Sequence, residues 1–152
     1  MKTPFSKKNL SFPIILSLLL TSAFGEFETK ATPIESISVK DGFEVELLFT
    51  VPKERLESWV NLCLDDQNRI IASDQFGGLY RFKAPSKNQI LKESDVEKIP
   101  ANIRAAIGLL WAFDSLYVAV NDYEKKMESG IYRLTDSNGD DQLDKVEKLR
   151  GM

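Results

Sequence analysis

The chain of 152 residues contains one cysteine and no histidine, and its 20 Lys and Arg residues against 23 Asp and Glu residues give a formal net charge of −3. This acidic balance argues against nucleic acid or an anionic membrane surface as a partner. Without histidine there is no imidazole base and no Ser-His-Asp arrangement, and neither a Gly-rich phosphate loop nor a zinc-ligand spacing is present.

The N-terminal segment has the three parts of a secretory signal peptide. A lead with three lysines precedes a mostly apolar stretch at residues 10–20, and Ala23 and Gly25 place small residues before a cut at Glu26. The apolar stretch is shorter than the roughly 20 residues that a membrane-spanning helix needs, which favours cleavage. An uncleaved anchor is the alternative. The sequence therefore predicts residues 1–25 as the signal peptide of a periplasmic or secreted protein. Cleavage leaves 17 basic against 23 acidic residues, because the peptide holds three of the 20 cationic side chains, and it leaves no stable membrane span.

Short β-like runs dominate the rest of the chain. Residues 26–41 are predicted to be a linker, and from Phe43 to Leu47 apolar residues alternate with glutamates. Runs rich in β-branched and aromatic residues then follow between turn residues: WVNLCL, RIIAS, GLYRF, GLLWAF, LYVAVN and GIYRL. Single helical turns fit only at residues 54–58, 85–95 and 101–106. The sequence predicts an all-β fold over residues 42–152.

Two stretches of the chain, residues 59–82 and 108–134, resemble each other. Each contains an apolar strand, an Asp-containing turn, a strand with a central Ala (Ala72 or Ala119), a polar loop and a Gly-apolar-Tyr-Arg sequence. Units of three or four strands that recur roughly every 40 to 50 residues are typical of β-propeller blades, while two similar hairpins in a β-sandwich are the alternative. Propellers close with about 4 to 8 blades. The prediction is therefore the opening two to three blades of a β-propeller, either a fragment of a larger propeller or one completed by assembly.

An acidic loop at residues 136–147, with the sequence DSNGDDQLDKVE, has the oxygen pattern of a calcium site. In a twelve-residue calcium loop the ligands come from positions 1, 3, 5, 7, 9 and 12, with a backbone carbonyl at 7 and a bidentate Glu at 12. Leu143, at position 8, is expected to hold the loop against the core. The predicted ligands of one Ca²⁺ ion are Asp136, Asn138, Asp140, Gln142, Asp144 and Glu147.

The acidic loop departs from the EF-hand pattern in two ways. Position 6, where a sharp turn favours Gly, is Asp141, and the lead-in GIYRLT is β-like rather than helical. A calcium loop between two strands, or between a strand and a helix, suits this context better than an EF-hand. The alternative is a solvated acidic hairpin turn, in which the five carboxylates would repel one another without a cation.

The runs GFEVELLFTVP, SWVNLCLDDQNRIIASDQFGGLYRF, IGLLWAFDSLYVAVN and SGIYRLTDSNGDDQLDKVEKLR resemble the opening of bacterial secreted proteins called membrane-bound dehydrogenase-like proteins. These are distant relatives of glucose and sorbosone dehydrogenases. The resemblance covers residues 42–150 and implies a propeller fold, a sugar or alcohol as substrate, and in many members a haem-binding Cys-x-x-Cys-His module. With one cysteine and no histidine, this chain lacks that module and the imidazole base, so the resemblance transfers no catalytic residue.

Two functions remain open. The first is an exported, calcium-binding propeller segment of a dehydrogenase-like protein, with its catalytic residues outside this chain. The second is a non-catalytic secreted calcium-binding module that recognises a protein or a glycan. The expected binding edge lies at the ends of two matching runs, at Asp74-Gln75 and Asn121-Asp122.

The remaining polar and aromatic residues have simpler interpretations. Asp65-Asp66 and Asp114 are expected to be turn residues rather than ligands. Cys63 is expected to be a small buried hydrophobe rather than a reactive thiol. Four aromatic residues are expected to pack in the core or between blades rather than to stack against a sugar: Trp59, Trp111, Tyr80 and Tyr132.

Overall fold

The structure, a computed structural model, describes residues 31–152. The predicted signal peptide and the first part of the predicted linker lie outside these residues. Within them the chain is all-β, as predicted, with one short α-helix and two 3₁₀ turns, at Ile34–Ser36 and Glu93–Asp95. The elements are α1 (Lys53–Leu56), β1 (Trp59–Leu64), β2 (Arg69–Asp74), β3 (Leu79–Lys83), β4 (Glu97–Ile99), β5 (Ala106–Ala112), β6 (Ser115–Val120), β7 (Gly130–Thr135) and β8 (Lys145–Gly151).

The strands form two antiparallel sheets of four strands each. The first sheet has the order β1-β2-β3-β4, and the second has the order β5-β6-β7-β8. Each strand therefore pairs with its neighbour in the chain, as short connections favour. The six apolar runs predicted from Trp59 onward are strands, whereas β4 and β8 were not predicted. β8 is an edge strand whose side chains, except for Val146, are exposed.

The two sheets share a register shift and a matching strand pairing. A register shift interrupts the first strand pair of each sheet, between Trp59 and Asn61 and between Ala106 and Gly108. The predicted match of Ala72 with Ala119 is wrong, because Ala72 pairs with Tyr80, whereas the second tyrosine, Tyr132, pairs with Val118. Side chains alternate between the faces of a sheet, so this one-residue shift puts Ala72 and Val118 in equivalent positions.

The main core lies between the sheets. Its fully buried side chains include Ile71, Leu79 and Ile99 from the first sheet and Leu116, Val118, Val120 and Leu134 from the second. On the other face of the first sheet, Trp59 packs against Phe49, Tyr80 and Phe82, with ring centroids 5.4–5.6 Å apart. The prediction that Trp59 and Tyr80 are packing residues is thereby confirmed.

Two local predictions are wrong. Residues 43–47 form no strand, although apolar and charged residues alternate there. This segment continues to Phe49, which lies over the face of the first sheet, so the segment adds no strand to a sheet edge. Residues 101–105 are irregular rather than helical, and Ala105 has a positive φ of 49°. The helical turn predicted near Glu54 is confirmed as α1.

Candidate functional site

Asp136 organises the acidic loop, which connects β7 to β8. Its Oδ1 accepts hydrogen bonds from the backbone N–H groups of Asn138 (3.0 Å) and Gly139 (2.7 Å), and its Oδ2 accepts one from that of Asp141 (2.7 Å). Gly139 and Asp141 both have positive φ, 83° and 68°, which winds the backbone around this carboxylate. The loop thus has a fixed shape that starts from its first predicted ligand.

The next predicted ligands are linked to one another through the backbone. Asn138 Oδ1 accepts the N–H of Asp140 (2.9 Å), and Asp140 Oδ1 accepts the N–H of Gln142 (2.9 Å). Asp144 closes the loop, because its two carboxylate oxygens accept the N–H (2.9 Å) and the hydroxyl (2.8 Å) of Ser137. Five of the six predicted ligands therefore lie in one wound loop: Asp136, Asn138, Asp140, Gln142 and Asp144.

Glu147, the sixth predicted ligand, belongs to strand β8 instead. It pairs with Arg133 of β7, and its Oε2 accepts a hydrogen bond from Arg133 Nη2 at 2.7 Å. Across residues 31–152, no group of three or more His, Cys, Asp or Glu side chains is arranged so that it could hold a metal ion. The loop carboxylates instead accept hydrogen bonds from protein donors. To bind a cation, these carboxylates would have to turn part of their oxygen surface toward the ion.

The carboxylates of Asp136 and Asp144 are ionised at neutral pH. Hydrogen bonds from backbone N–H groups, that of Asn138 first, hold the pKa of Asp136 below its ordinary value. The Ser137 hydroxyl and N–H do the same for the pKa of Asp144. These donors also compensate part of the negative charge of the two carboxylates.

Leu143 ties the loop to the main core, as predicted. Its side chain is 3% exposed and belongs to the buried cluster between the sheets. Beside the loop lies a cleft of about 330 Å³. Asp136 and Asp141 line it from the loop, and Asp66 and Asp114 line it from the β1–β2 and β5–β6 turns. The loop and the turns of both sheets thus lie at the same end of the molecule.

A second cleft, of about 610 Å³, lies near the predicted binding edge. Arg104 joins the two strand ends there, because it donates to Asp122 Oδ2 (3.0 Å) and to the carbonyl oxygen of Phe76 (3.2 Å). Asp74, 1% exposed, accepts the N–H of Phe76 (3.0 Å). The predicted residues of the edge therefore lie close together through Arg104, which no sequence motif had singled out. The cleft is lined by Lys53, Glu57, Ser58, Gln75, Phe76, Arg104, Glu124 and Lys126.

Glu57, which lines this second cleft, has an unusual backbone conformation and a perturbed pKa. It has a φ of 50° and a ψ of −129°, a backbone conformation that residues other than Gly rarely adopt. The negative charge of Asp74, with partial burial and a hydrogen bond between the two carboxyl groups, raises the pKa of Glu57. Two carboxyl groups in contact share a proton more readily than they carry two charges.

Cys63 packs beside the main core and is partly buried. Burial, with the charge of Asp65 second, raises the pKa of its thiol to about 11. A thiol with this pKa is protonated at neutral pH and is a poor nucleophile or metal ligand. The prediction that Cys63 is a small hydrophobe holds for its chemistry, although its burial is only partial.

Comparison with protein-family models, with curated proteins and with solved structures gave no match. The family resemblance described above therefore depends only on the residues that carry it. Between residues 31 and 152, no helix is long and apolar enough to cross a membrane.

Proposed function

We propose that the chain is the calcium-binding opening portion of an exported β-propeller protein, related to the membrane-bound dehydrogenase-like proteins, whose redox chemistry belongs to residues outside this chain. The observation that carries this proposal is the wound acidic loop between β7 and β8, which presents oxygen atoms at alternating positions from a fixed backbone. The role of the ion is structural, since a bound Ca²⁺ stabilises only the folded loop.

The propeller assignment is supported by the repeat between the two sheets. Both are four-stranded meanders with a register shift in the first strand pair. In both, a tyrosine of the third strand pairs with the second strand, Tyr80 with Ala72 and Tyr132 with Val118. One face of the first sheet covers the opposite face of the second, so the sheets pack in succession. This is the arrangement that neighbouring propeller blades adopt.

Calcium suits the loop because it is a hard cation that takes six to eight oxygen ligands. Four side chains of the loop offer oxygen atoms, and Gln142 offers its backbone carbonyl. Glu147 completes the predicted set only by leaving Arg133, whose guanidinium now holds it. A single loop without a paired partner suits the weak extracellular range, with a Kd of about 10⁻⁴ to 10⁻³ M.

Calcium binding is tested by isothermal titration calorimetry and by thermal melting in chelator and in millimolar calcium. At about 100 times the Kd, calcium adds about 2.7 kcal/mol of stability, which raises the melting temperature by several degrees. Asp140→Asn keeps an acceptor for the Gln142 N–H but removes a charged ligand, so it should reduce this shift. The exposed Asp41, which lies outside the loop and its cleft, is changed to Asn as the matched control.

The same titration decides the sixth ligand. If Glu147 joins the ion, Glu147→Ala weakens binding as Asp140→Asn does, whereas an unchanged affinity limits the set to residues 136–144. Asp136→Ala should abolish binding but also lower the stability in chelator, because Asp136 accepts three backbone hydrogen bonds. The absence of calcium heat, together with equal melting temperatures in calcium and chelator, would leave the loop as an acidic hairpin turn.

The second candidate function, a non-catalytic calcium-binding module for a protein or glycan partner, is favoured by one observation. Strand β1 exposes Val60, Leu62 and Leu64, which are 45%, 64% and 56% exposed. Exposed apolar side chains along one strand suit contact with another protein surface. The DNA beyond the codon for Met152 separates the candidates: a frame that continues into further blade repeats supports the propeller protein, and a stop codon supports the module.

A further inference from the structure

Asp141 contacts the first sheet, although it belongs to the loop of the second. Its Oδ1 accepts hydrogen bonds from Arg69 Nη2 (2.8 Å) and Gln67 Nε2 (3.1 Å), and its Oδ2 bonds to Arg69 Nη1. Arg81 Nη1 lies 3.5 Å from the same Oδ1. At its other end, the backbone N–H of Asp141 donates to Asp136. One residue therefore connects the first predicted calcium ligand to the neighbouring sheet.

The groups that receive Asp141 are held rigidly. The Arg69 side chain is 10% exposed, and its Nε donates to Asp65 Oδ2 at 2.6 Å. The Arg81 side chain is 3% exposed, and Glu97 Oε2 of β4 accepts hydrogen bonds from its Nη2 (2.9 Å) and its Nε (3.2 Å). Glu97 also accepts a hydrogen bond from Gln142 Nε2 at 2.6 Å. Two consecutive loop residues thus dock on a pre-formed surface of the first sheet.

We propose that Asp141 is a positioning residue that fastens the acidic loop to the first sheet, so that Ca²⁺ binds the docked loop and thereby stabilises the junction between the two sheets. The calcium half of this inference rests on the proposed function. Asp141 is not among the predicted ligands. Its backbone N–H donates a hydrogen bond to Asp136, and its carboxylate accepts hydrogen bonds from Arg69.

The backbone of Asp141 makes the inference testable. At a φ of 68°, glycine is the residue with the least strain, and calcium loops favour glycine at this position. If Asp141 merely occupies a turn, Asp141→Gly relieves strain and leaves stability unchanged or higher. If Asp141 fastens the sheets, the same substitution removes the fastening and lowers stability. The two explanations therefore predict different effects of Asp141→Gly on stability: no loss in the first case and a loss in the second.

The experiment compares the full-length protein with Asp141→Gly, Asp141→Asn and Arg69→Gln, with Asp41→Asn as the control. Melting is followed in chelator and in millimolar calcium, and affinity is measured by calcium titration. In chelator, the Asp141 and Arg69 variants should melt several degrees lower than the wild type, and the control should not change. The Asp141→Asn/Arg69→Gln double variant should lose less than the sum of the two single losses, because both changes remove one contact.

In calcium, Asp141→Gly should bind the ion about fivefold or more weakly although every predicted ligand is present. Part of the free energy of calcium binding must then be used to dock the loop on the first sheet. A melting temperature of Asp141→Gly in chelator at or above that of the wild type would overturn the fastening. An unchanged calcium affinity in that variant would overturn the coupling. If the wild type shows neither calcium heat nor a calcium-dependent shift, the proposed function and the coupling fail together, and the chelator measurements alone decide the fastening.

Discussion

The ion pair between Asp65 and Arg69 is expected to stabilise the first sheet strongly, and Asp65→Ala tests this. Asp65 is 5% exposed, and its Oδ1 accepts the N–H groups of Gln67 (2.9 Å) and Arg69 (2.8 Å). Its Oδ2 accepts Arg69 Nε at 2.6 Å. The substitution therefore removes one charge from a buried pair and leaves two backbone donors without their acceptor.

Removal of one partner from a buried ion pair costs about 3–5 kcal/mol, because the other charge remains desolvated. Arg69 keeps Asp141 as a partner, so we expect the lower end, about 3 kcal/mol. For a protein of this size, each kcal/mol shifts the melting temperature by about 4 °C, so the expected loss is about 12 °C. A surface ion pair, by contrast, contributes only about 0–1 kcal/mol.

The assay is urea unfolding followed by circular dichroism, with thermal melting as a second measurement. Asp66→Ala is the control, since Asp66 is the exposed neighbour in the same turn and its loss should change stability by no more than about 0.5 kcal/mol. The double variant Asp65→Ala/Arg69→Met should be less destabilised than the sum of its single variants. If Asp65→Ala unfolds at the same urea concentration as Asp66→Ala, water compensates Arg69 and the reasoning from burial is wrong.

Three further predictions concern other parts of the molecule. The carboxylate of Asp74 raises the pKa of Glu57; Glu124 adds to this shift and Arg104 opposes it. The contact between the two carboxyl groups therefore contributes its full stability below the ordinary pKa of Glu57. This contribution is lost as the pH rises through the raised pKa. Glu57→Gln should therefore gain stability relative to the wild type as the pH rises above the ordinary pKa of Glu57, and a pH-independent difference would contradict this. Cys63, with its pKa raised to about 11, should react slowly with a thiol reagent at neutral pH and quickly in denaturant; equal rates would show an accessible thiolate. Leu134→Ala should cost about 2–5 kcal/mol because its side chain is fully buried, whereas Leu110→Ala, at 60% exposure, should cost far less; similar unfolding midpoints would contradict the position of the main core.

The strands that sequence analysis predicted are those with a buried face. β2 and β6 carry apolar residues that the main core needs, so their composition reveals them. β4 has only three residues, which is too short to show a pattern. β8 is charged, because an edge strand with exposed faces has no need of apolar residues. The alternation at Phe43–Leu47 misled for the opposite reason, since a period of two predicts a strand only where a partner strand is available.

The acidic loop was predictable in its local shape but not in its contacts. The spacing of oxygen-bearing residues indicated a wound loop, and Leu143 indicated how it is held against the core. The two contacts that change the interpretation come from elsewhere in the chain. Glu147 faces Arg133 because of the β7–β8 register, and Asp141 meets Arg69 because the two sheets pack together. Neither the register nor the packing is encoded in the spacing of the loop.

The charged edge formed by β8 affects how copies of this protein meet. Its exposed side chains include three cations, Lys145, Lys148 and Arg150, and one anion, Glu147. If two copies paired along this edge and extended one sheet into the other, two strands of net positive charge would lie side by side, which costs free energy at low ionic strength. Fibre-like growth through β8 is therefore disfavoured in dilute buffer and should become less unfavourable as salt screens these charges.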